Sequence, residues 1–393
     1  MSLPPISRSR DLQRLRDEGY DVAIVAEHVL LRDVPYVNDR RELKRGTLVS
    51  ELTTAGDVTS TPKTHVMHFV GEYPCDKNGR AIENIRHASN RQELAPGIVV
   101  DHSLSSKPEG GYKDYYEKMS TYATIISSPA ASLDPYATPK TFPAIVPEPD
   151  ESVFQYLDTA SSRAGITGVA SKFAGEHVAI LGVGGTGSYL LDLVAKTPVA
   201  EIHLFDGDGF LTHNAFRAPG AARLEDLRRA PNKAAYFAAE YSRLHRHIIP
   251  HELFIDENNV ELLRRMTFVF LSMDQGTSKK AIIGRLEEWG IPFIDVGMGV
   301  TLIDGELHGV LRVTTSTPKA RVHVHEKRRI PFTDGDAQDE YDENIQLADL
   351  NALNAVLAVI KWKKLRRFYR DLENEHYSTY TTDGNALTNE DQG

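Results

Sequence analysis

His177-Val178-Ala179-Ile180-Leu181-Gly182-Val183-Gly184-Gly185-Thr186-Gly187 is the stretch that decides the fold. Val178, Ala179, Ile180 and Leu181 form a short apolar run of the kind that fills a buried strand. The run ends on glycines at 182, 184, 185 and 187, and a helical stretch follows from Ser188 to Lys196. Strand, tight glycine turn and helix bring backbone N–H groups up to a phosphate at the positive end of a helix. A second apolar run, Ile202 to Phe205, ends on Asp206, nineteen residues past Gly187. An acidic residue at that distance suits a ribose hydroxyl. The combination predicts a nucleotide beside a doubly wound sheet.

Composition narrows the setting. The chain of 393 residues has room for two or three domains. Its 41% hydrophobic and 25% charged residues are ordinary for a globular protein, so a core forms without staples. A net charge of −10 argues against nucleic acid as a partner. No run of eighteen apolar residues is present, so no membrane span is expected. The N-terminal stretch lacks the apolar segment of a secretory signal. The single cysteine, Cys75, excludes an internal disulfide and a cysteine-rich zinc site. Together these features point to the cytoplasm.

Outward from the glycine turn, four segments separate. Residues 1–127 read as a smaller α+β domain, with a helix from Arg8 to Glu18, short strands, and a helix from Tyr112 to Met119. Residues 128–150 carry prolines at 129, 135, 139, 143, 147 and 149, which disfavour helix and interior strand and predict an extended linker. Residues 151–370 alternate strand and helix. Strands are expected at Ile202–Phe205, Phe268–Leu271 and Phe293–Val296, and helices at Asn232–Leu244, Ser278–Trp289 and Leu347–Tyr369. That alternation predicts an α/β domain with a Rossmann-like, mainly parallel sheet covered on both faces. Residues 371–393 are polar and read as a mobile tail.

Polar residues cluster where such a sheet binds its ligands, at and beyond the strand ends. Asp206 and Asp208 end the second strand, Asn214 and Arg217 follow, Lys233 opens a helix, and Asp274 follows a later strand. Cations neutralise phosphates, and a carboxylate holds magnesium, which takes oxygen ligands and bridges substrate phosphates. A nicotinamide-dependent dehydrogenase would use the glycine turn and Asp206 but leave Arg217, Lys233 and Asp274 without a task.

These residues, in this order, resemble the ThiF/MoeB and ubiquitin-activating enzyme superfamily over about residues 155–365. The resemblance implies a ThiF-type adenylation domain that binds ATP and Mg²⁺. Gly182, Gly184, Gly185 and Gly187 with Asp206 would hold the nucleoside. Asn214 and Arg217 match an asparagine–arginine pair, Lys233 a phosphate-binding lysine, and Asp274 a magnesium ligand, with Asp208 as helper. Arg163 matches an arginine that family members donate across a homodimer to the partner's ATP site. The chain departs from the family in three places. Ala218 stands where a glutamine often follows the arginine. Thr317-Pro318-Lys319-Ala320-Arg321 replaces a cysteine pair, so zinc is not expected. No cysteine follows Cys75, although activating enzymes often carry one in a crossover loop, here around 331–344.

The implied activity is adenylation of the C-terminal carboxylate of a ubiquitin-like protein. Attack of the carboxylate on the α-phosphorus of ATP gives an acyl-adenylate and needs no covalent nucleophile on the protein. Three routes follow: direct transfer to a conjugating enzyme, an oxyester on Thr333 or one of Thr314, Thr315, Ser316 and Thr317, or a thioester on Cys75. The N-terminal segment loosely resembles a bacterial domain that precedes such modules in ubiquitin-like conjugation systems. This implies a partner-binding role and a link to antiviral defence. A tRNA-modifying adenylating enzyme and an inactive scaffold that binds a ubiquitin-like protein are the remaining alternatives.

Overall fold

In this computed structural model the residues described are 6, 8–56, 58–147, 151–273, 276–332 and 345–392. The backbone divides into two compact units, Met1–Glu151 with Tyr156–Arg163, and Ser152–Gln155 with Ala164–Gly393.

The first unit contains α1 (Arg10–Asp17), β1 (Asp21–Val25), β2 (His28–Val37), β3 (Leu43–Glu51), β4 (Val66–Val70), β5 (Arg86–Ala88), β6 (His102–Ser105) and α2 (Tyr115–Leu133). The strands form an antiparallel sheet in the order β1-β2-β3-β4-β6-β5. Alternation along each strand turns one face towards the helices. Leu48, Met67, Phe69 and Leu104 of the sheet meet Leu12 and Leu15 of α1 and Tyr115, Met119, Tyr122 and Ile126 of α2 in one buried cluster. Asp114 starts α2 by accepting the Glu117 N–H at 2.8 Å, as an N-cap does.

The helix expected to stop by Met119 continues through Pro129 to Leu133. Proline removes only its own N–H and crowds one turn behind it. Burial of Ile126, Ser127 and Ala130 on that last stretch offsets the loss. The expected linker therefore starts inside a helix.

The second unit carries the alternating pattern. In order it has β7 (His177–Leu181), α3 (Gly185–Val194), β8 (Glu201–Phe205), α4 (Thr212–Ala215), α5 (Leu224–Arg229), α6 (Lys233–Tyr241), β9 (Ile248–His251), β10 (Phe268–Leu271) and α7 (Gly276–Glu288). Then come β11 (Phe293–Ile303), β12 (Glu306–Ser316), α8 (Val322–Glu326), α9 (Ala348–Leu365), β13 (Tyr377–Thr381) and β14 (Ala386–Glu390). Among the described residues the sheet runs β9-β8-β7-β10-β11-β12-β13-β14. The five strands from β9 to β11 are parallel and the rest antiparallel. The class is α/β, with a mainly Rossmann-like sheet after a smaller unit. One apolar cluster joins Val178, Ile180, Ile202 and Phe270 of the strands to Leu190, Phe237 and Trp362 of the helices. A second joins Ala179, Leu181 and Phe293 to Ile282, Ile283 and Leu286. The strand order reverses at β7, whose C-terminal end therefore lies at the crevice of the sheet.

Residues 371–392 do not form the expected free tail. β13 pairs with β12, and β14 with β13.

Candidate functional site

The glycine turn leaves β7 and enters α3, and its four glycines have different reasons to be glycine. Gly182 has φ +82°, and a Cβ there would lie 2.5 Å from the Ser272 carbonyl oxygen. At Gly187 a Cβ would come 1.8 Å from the Gly182 carbonyl oxygen, so the helix closes tightly on its own strand. At Gly185 it would meet the Asn351 side chain at 2.2 Å. At Gly184, the residue before the first helical turn, it would meet nothing within 4 Å. The first-turn N–H groups of α3 have no acceptor inside the helix. The space at Gly184 is open, and N–H groups at a helix N-terminus are of the kind that suits a phosphate.

Asp206 ends β8 and is 4% exposed. Its Oδ2 accepts the Val183 N–H at 2.8 Å and its Oδ1 the Asp208 N–H at 2.9 Å. Burial pushes this carboxyl above its usual range, against the opposing pull of Lys233 and the two backbone N–H groups. Asp206 thus fastens the glycine turn to the end of β8. The exposed carboxylate is that of Asp208, whose side chain is 57% exposed.

Lys233 stands at the first position of α6 and is 8% exposed. A cation at a helix N-terminus is disfavoured by roughly 0.3–1 kcal/mol. Here Asp208 Oδ2 lies 2.8 Å and Asp206 Oδ1 3.9 Å from its Nζ. Asn232 makes this arrangement possible: its Oδ1 accepts the Ala235 N–H at 3.2 Å and its Nδ2 donates to the Asp206 carbonyl at 2.8 Å. The Lys233 N–H donates to the Asp208 carbonyl at 2.8 Å. Helix start and strand end are therefore tied by both side chain and backbone.

Asn214 is 2% exposed, and its Oδ1 accepts the Leu211 N–H at 2.9 Å. Its Nδ2 is buried and finds no acceptor among the described residues. The Arg217 N–H donates to the Asn214 carbonyl at 3.1 Å, and the Arg217 side chain is half-buried.

One unit thus carries the four glycines, Asp206, Asp208, Asn214, Arg217 and Lys233. Arg163 lies in the other unit, at the end of the short helix Thr159–Arg163, with its guanidinium 5.4 Å from the centroid of the Phe142 ring. Asp274 and Thr333 lie outside the described residues. For magnesium the exposed Asp208 carboxylate is a suitable hard oxygen donor, and Mg²⁺ takes only one or two carboxylates beside substrate phosphates. Among the described residues no group of three or more His, Cys, Asp or Glu is arranged to hold a metal ion.

Sequence reading misses three contributors. Asn232 is readable as a helix cap before Lys233. Ser272, whose Oγ donates to the Gly182 carbonyl at 2.6 Å, and the buried Asn351 have no local signal.

Four of the nucleophiles considered for a covalent step, Cys75, Thr314, Thr315 and Ser316, are buried. Cys75 is 3% exposed, and burial pushes its thiol pKa up, which disfavours the thiolate. Thr314, Thr315 and Ser316 are buried within β12, and Thr314 Oγ1 already donates to the Arg329 carbonyl at 3.2 Å.

Comparison with known proteins gives the family. The model of the ThiF family matches residues 162–381, more than half of the chain. The chain belongs to the ThiF family. A second model, a domain of unknown function (DUF6791), matches residues 10–159. No curated protein matches. Among solved structures, Escherichia coli MccB with ATP is 18% identical at a TM-score of 0.48, over 60% of this chain and 70% of that one. PaaA is 18% identical at 0.45, over 57% of this chain and 75% of that one. As a ThiF-family protein the chain is of the adenylyltransferase type, a class that uses ATP. No helix among the described residues is long and apolar enough to cross a membrane.

Proposed function

We propose that this ThiF-family protein adenylates the C-terminal carboxylate of a ubiquitin-like protein and passes it directly to a conjugating enzyme. The observation that supports the site most is Lys233: a nearly buried ammonium between the carboxylates of Asp206 and Asp208, the first of which also holds the glycine turn through the Val183 N–H.

In this reading the N–H groups around Gly184 hold phosphate, and the Asn214 Nδ2 donates to the nucleotide. Asp208, rather than the internally engaged Asp206, meets the ribose or the metal. Lys233 exchanges its partner Asp208 for phosphate when ATP enters. Lys233 and Arg217 then neutralise charge as the carboxylate attacks the α-phosphorus and pyrophosphate leaves, which is electrostatic stabilisation of a preorganised kind. Magnesium, held by Asp274 with Asp208, would supply further neutralisation of the phosphates. Arg163 of a second copy would complete the site in a homodimer. The buried state of Cys75 and of Thr314 to Ser316 favours direct transfer over a thioester or oxyester on those residues. The first unit would recruit the partner, in a bacterial antiviral or related conjugation system.

The test is ATP–pyrophosphate exchange with candidate tails ending in glycine, and mass spectrometry for AMP joined to the tail. Exchange stimulated by a tail, and abolished in Lys233→Ala and Asp274→Ala, is the expected result. Near-normal exchange in both variants refutes the site assignment. Binding of a dinucleotide in place of ATP refutes the function.

A further inference from the structure

We propose that Asn351 is a positioning residue for the triphosphate, a single amide that locks the glycine turn to the segment bearing Arg217. This rests on the adenylation reading and extends it to a helix that the reading does not use.

Asn351 stands on α9 and is fully buried. Its Oδ1 accepts the Thr186 hydroxyl at 2.8 Å, and its Nδ2 donates to the Arg217 carbonyl at 3.3 Å. Thr186 and Arg217 are thirty-one residues apart and lie on different elements, so the amide spans two otherwise separate parts of the site. Gly185 gives an independent sign of how close the approach is. Its missing Cβ is the space that the Asn351 amide occupies, 2.2 Å away.

An apolar residue would serve the α9–α3 contact more simply. A buried amide costs desolvation unless its hydrogen bonds are made, and the two it makes go to candidate phosphate-binding segments. Asn351 touches no substrate in this arrangement. It acts through Arg217 and the first turn of α3, by holding both at the spacing that a triphosphate bridges.

Equilibrium binding of ATP and of AMP, each with magnesium, tests this. Asn351→Leu keeps most of the side-chain volume and removes both hydrogen bonds. ATP affinity is expected to fall at least tenfold while AMP affinity changes less than threefold. The double variant Asn351→Leu/Arg217→Ala is expected to lose less ATP affinity than the two single losses combined, since residues acting partly through one another are not additive. A merely structural asparagine would lower both affinities together, and its loss would add to that of Arg217. Should Asn351→Leu fail to fold, Thr186→Val breaks the hydroxyl arm from the other side and is read by the same comparison. ATP binding that the variants leave unchanged, or lower equally with AMP, overturns this proposal alone. Absence of ATP binding by the unaltered chain overturns the adenylation reading and this proposal with it.

Discussion

Gly184 differs from its neighbours in the turn because nothing inside the fold needs its hydrogen. Its φ is not in the left-handed region, and a methyl would project into open space. Gly184→Ala is therefore expected to melt within a few degrees of the unaltered chain and to lose ATP affinity at least tenfold. Gly187→Ala, whose methyl would overlap the Gly182 carbonyl, is expected to be strongly destabilised. Thermal melting and ATP titration on both variants check the pair, and equal behaviour would remove the phosphate reading of Gly184. Lys118 on α2 gives a second residue-scale prediction. It is fully buried, its Nζ donates to Ser50 Oγ at 2.8 Å, and burial pushes its pKa down from 10.5 to about 8. The unfolded chain therefore binds more protons between pH 8 and 10.5, so stability rises with pH across that window. Below pH 8 the charge is buried at full cost, roughly 3 kcal/mol. Lys118→Met is expected to slow hydrogen exchange in β3 and α2 at pH 7 and to abolish the pH-dependent gain above pH 8. Unchanged exchange would show that the ammonium is better solvated than its burial implies. Chemistry-bearing residues are legible in the sequence where chain neighbours give the context, as for Gly182 and Lys233. Which of Asp206 and Asp208 faces solvent is not legible, since two carboxylates two positions apart look alike until the backbone N–H groups that claim one of them are placed.

At the level of elements, the last two strands are held by an ionic clamp. Asp391, just past β14, accepts from Lys327 and from Arg329 Nε, the latter at 2.8 Å, while Arg329 also pairs with Glu390. The Arg329 guanidinium lies 3.8 Å over the Tyr377 ring of β13. Burial raises the Asp391 pKa, but the hydrogen bonds from Lys327 and Arg329 outweigh it and hold the carboxyl below its usual range. Its stabilising contribution is thus present above the unfolded value near 3.8 and is lost as pH falls further. Asp391→Asn is expected to speed hydrogen exchange in residues 377–390 roughly tenfold or more at neutral pH. The unaltered chain should show the same loosening only below about pH 4. No change in that hairpin would mean that backbone pairing alone holds it. This hairpin also shows why part of the fold escapes sequence reading. β14 is exposed along its whole length, so no alternation of apolar and polar residues marks it. Only the turn-forming Asp383-Gly384 points to a hairpin. β7, β8 and β10 lie within the sheet and are largely apolar runs, which is why their positions are clear from sequence alone. α2 departs from expectation for the opposite reason: Pro129 is a strong local signal, and tertiary packing overrides it.

Across the whole molecule, the boundary between the units is interleaved along the chain rather than a simple cut. Ser152–Gln155 belongs to the second unit although Tyr156–Arg163 belongs to the first. The Gln155 N–H donates to the Leu244 carbonyl at 2.9 Å and the Arg246 N–H to the Val153 carbonyl at 2.7 Å. Gln155 Nε2 donates to the Ser242 carbonyl at 2.9 Å, and Phe154 sits edge-on to His245 with ring centroids 5.7 Å apart. Burial of a phenylalanine contributes about 1.5–3 kcal/mol, and each hydrogen bond about 0.5–1.5 kcal/mol. The strap therefore contributes on the order of 3–7 kcal/mol, less the entropy of ordering its residues, to a unit of this size, worth about 10 °C in melting temperature. A fragment of residues 152–393 is expected to fold and bind ATP, whereas one of residues 164–393, close to where the family match begins, should melt about 10 °C lower. Tryptophan fluorescence reads this directly, since Trp289 and Trp362 both lie in the second unit. Equal melting of the two fragments would show that the strap only lies on the surface. A lower melting point with undiminished ATP affinity would separate its structural role from the nucleotide site, whose glycine turn, strand ends and helix starts all lie elsewhere in the chain.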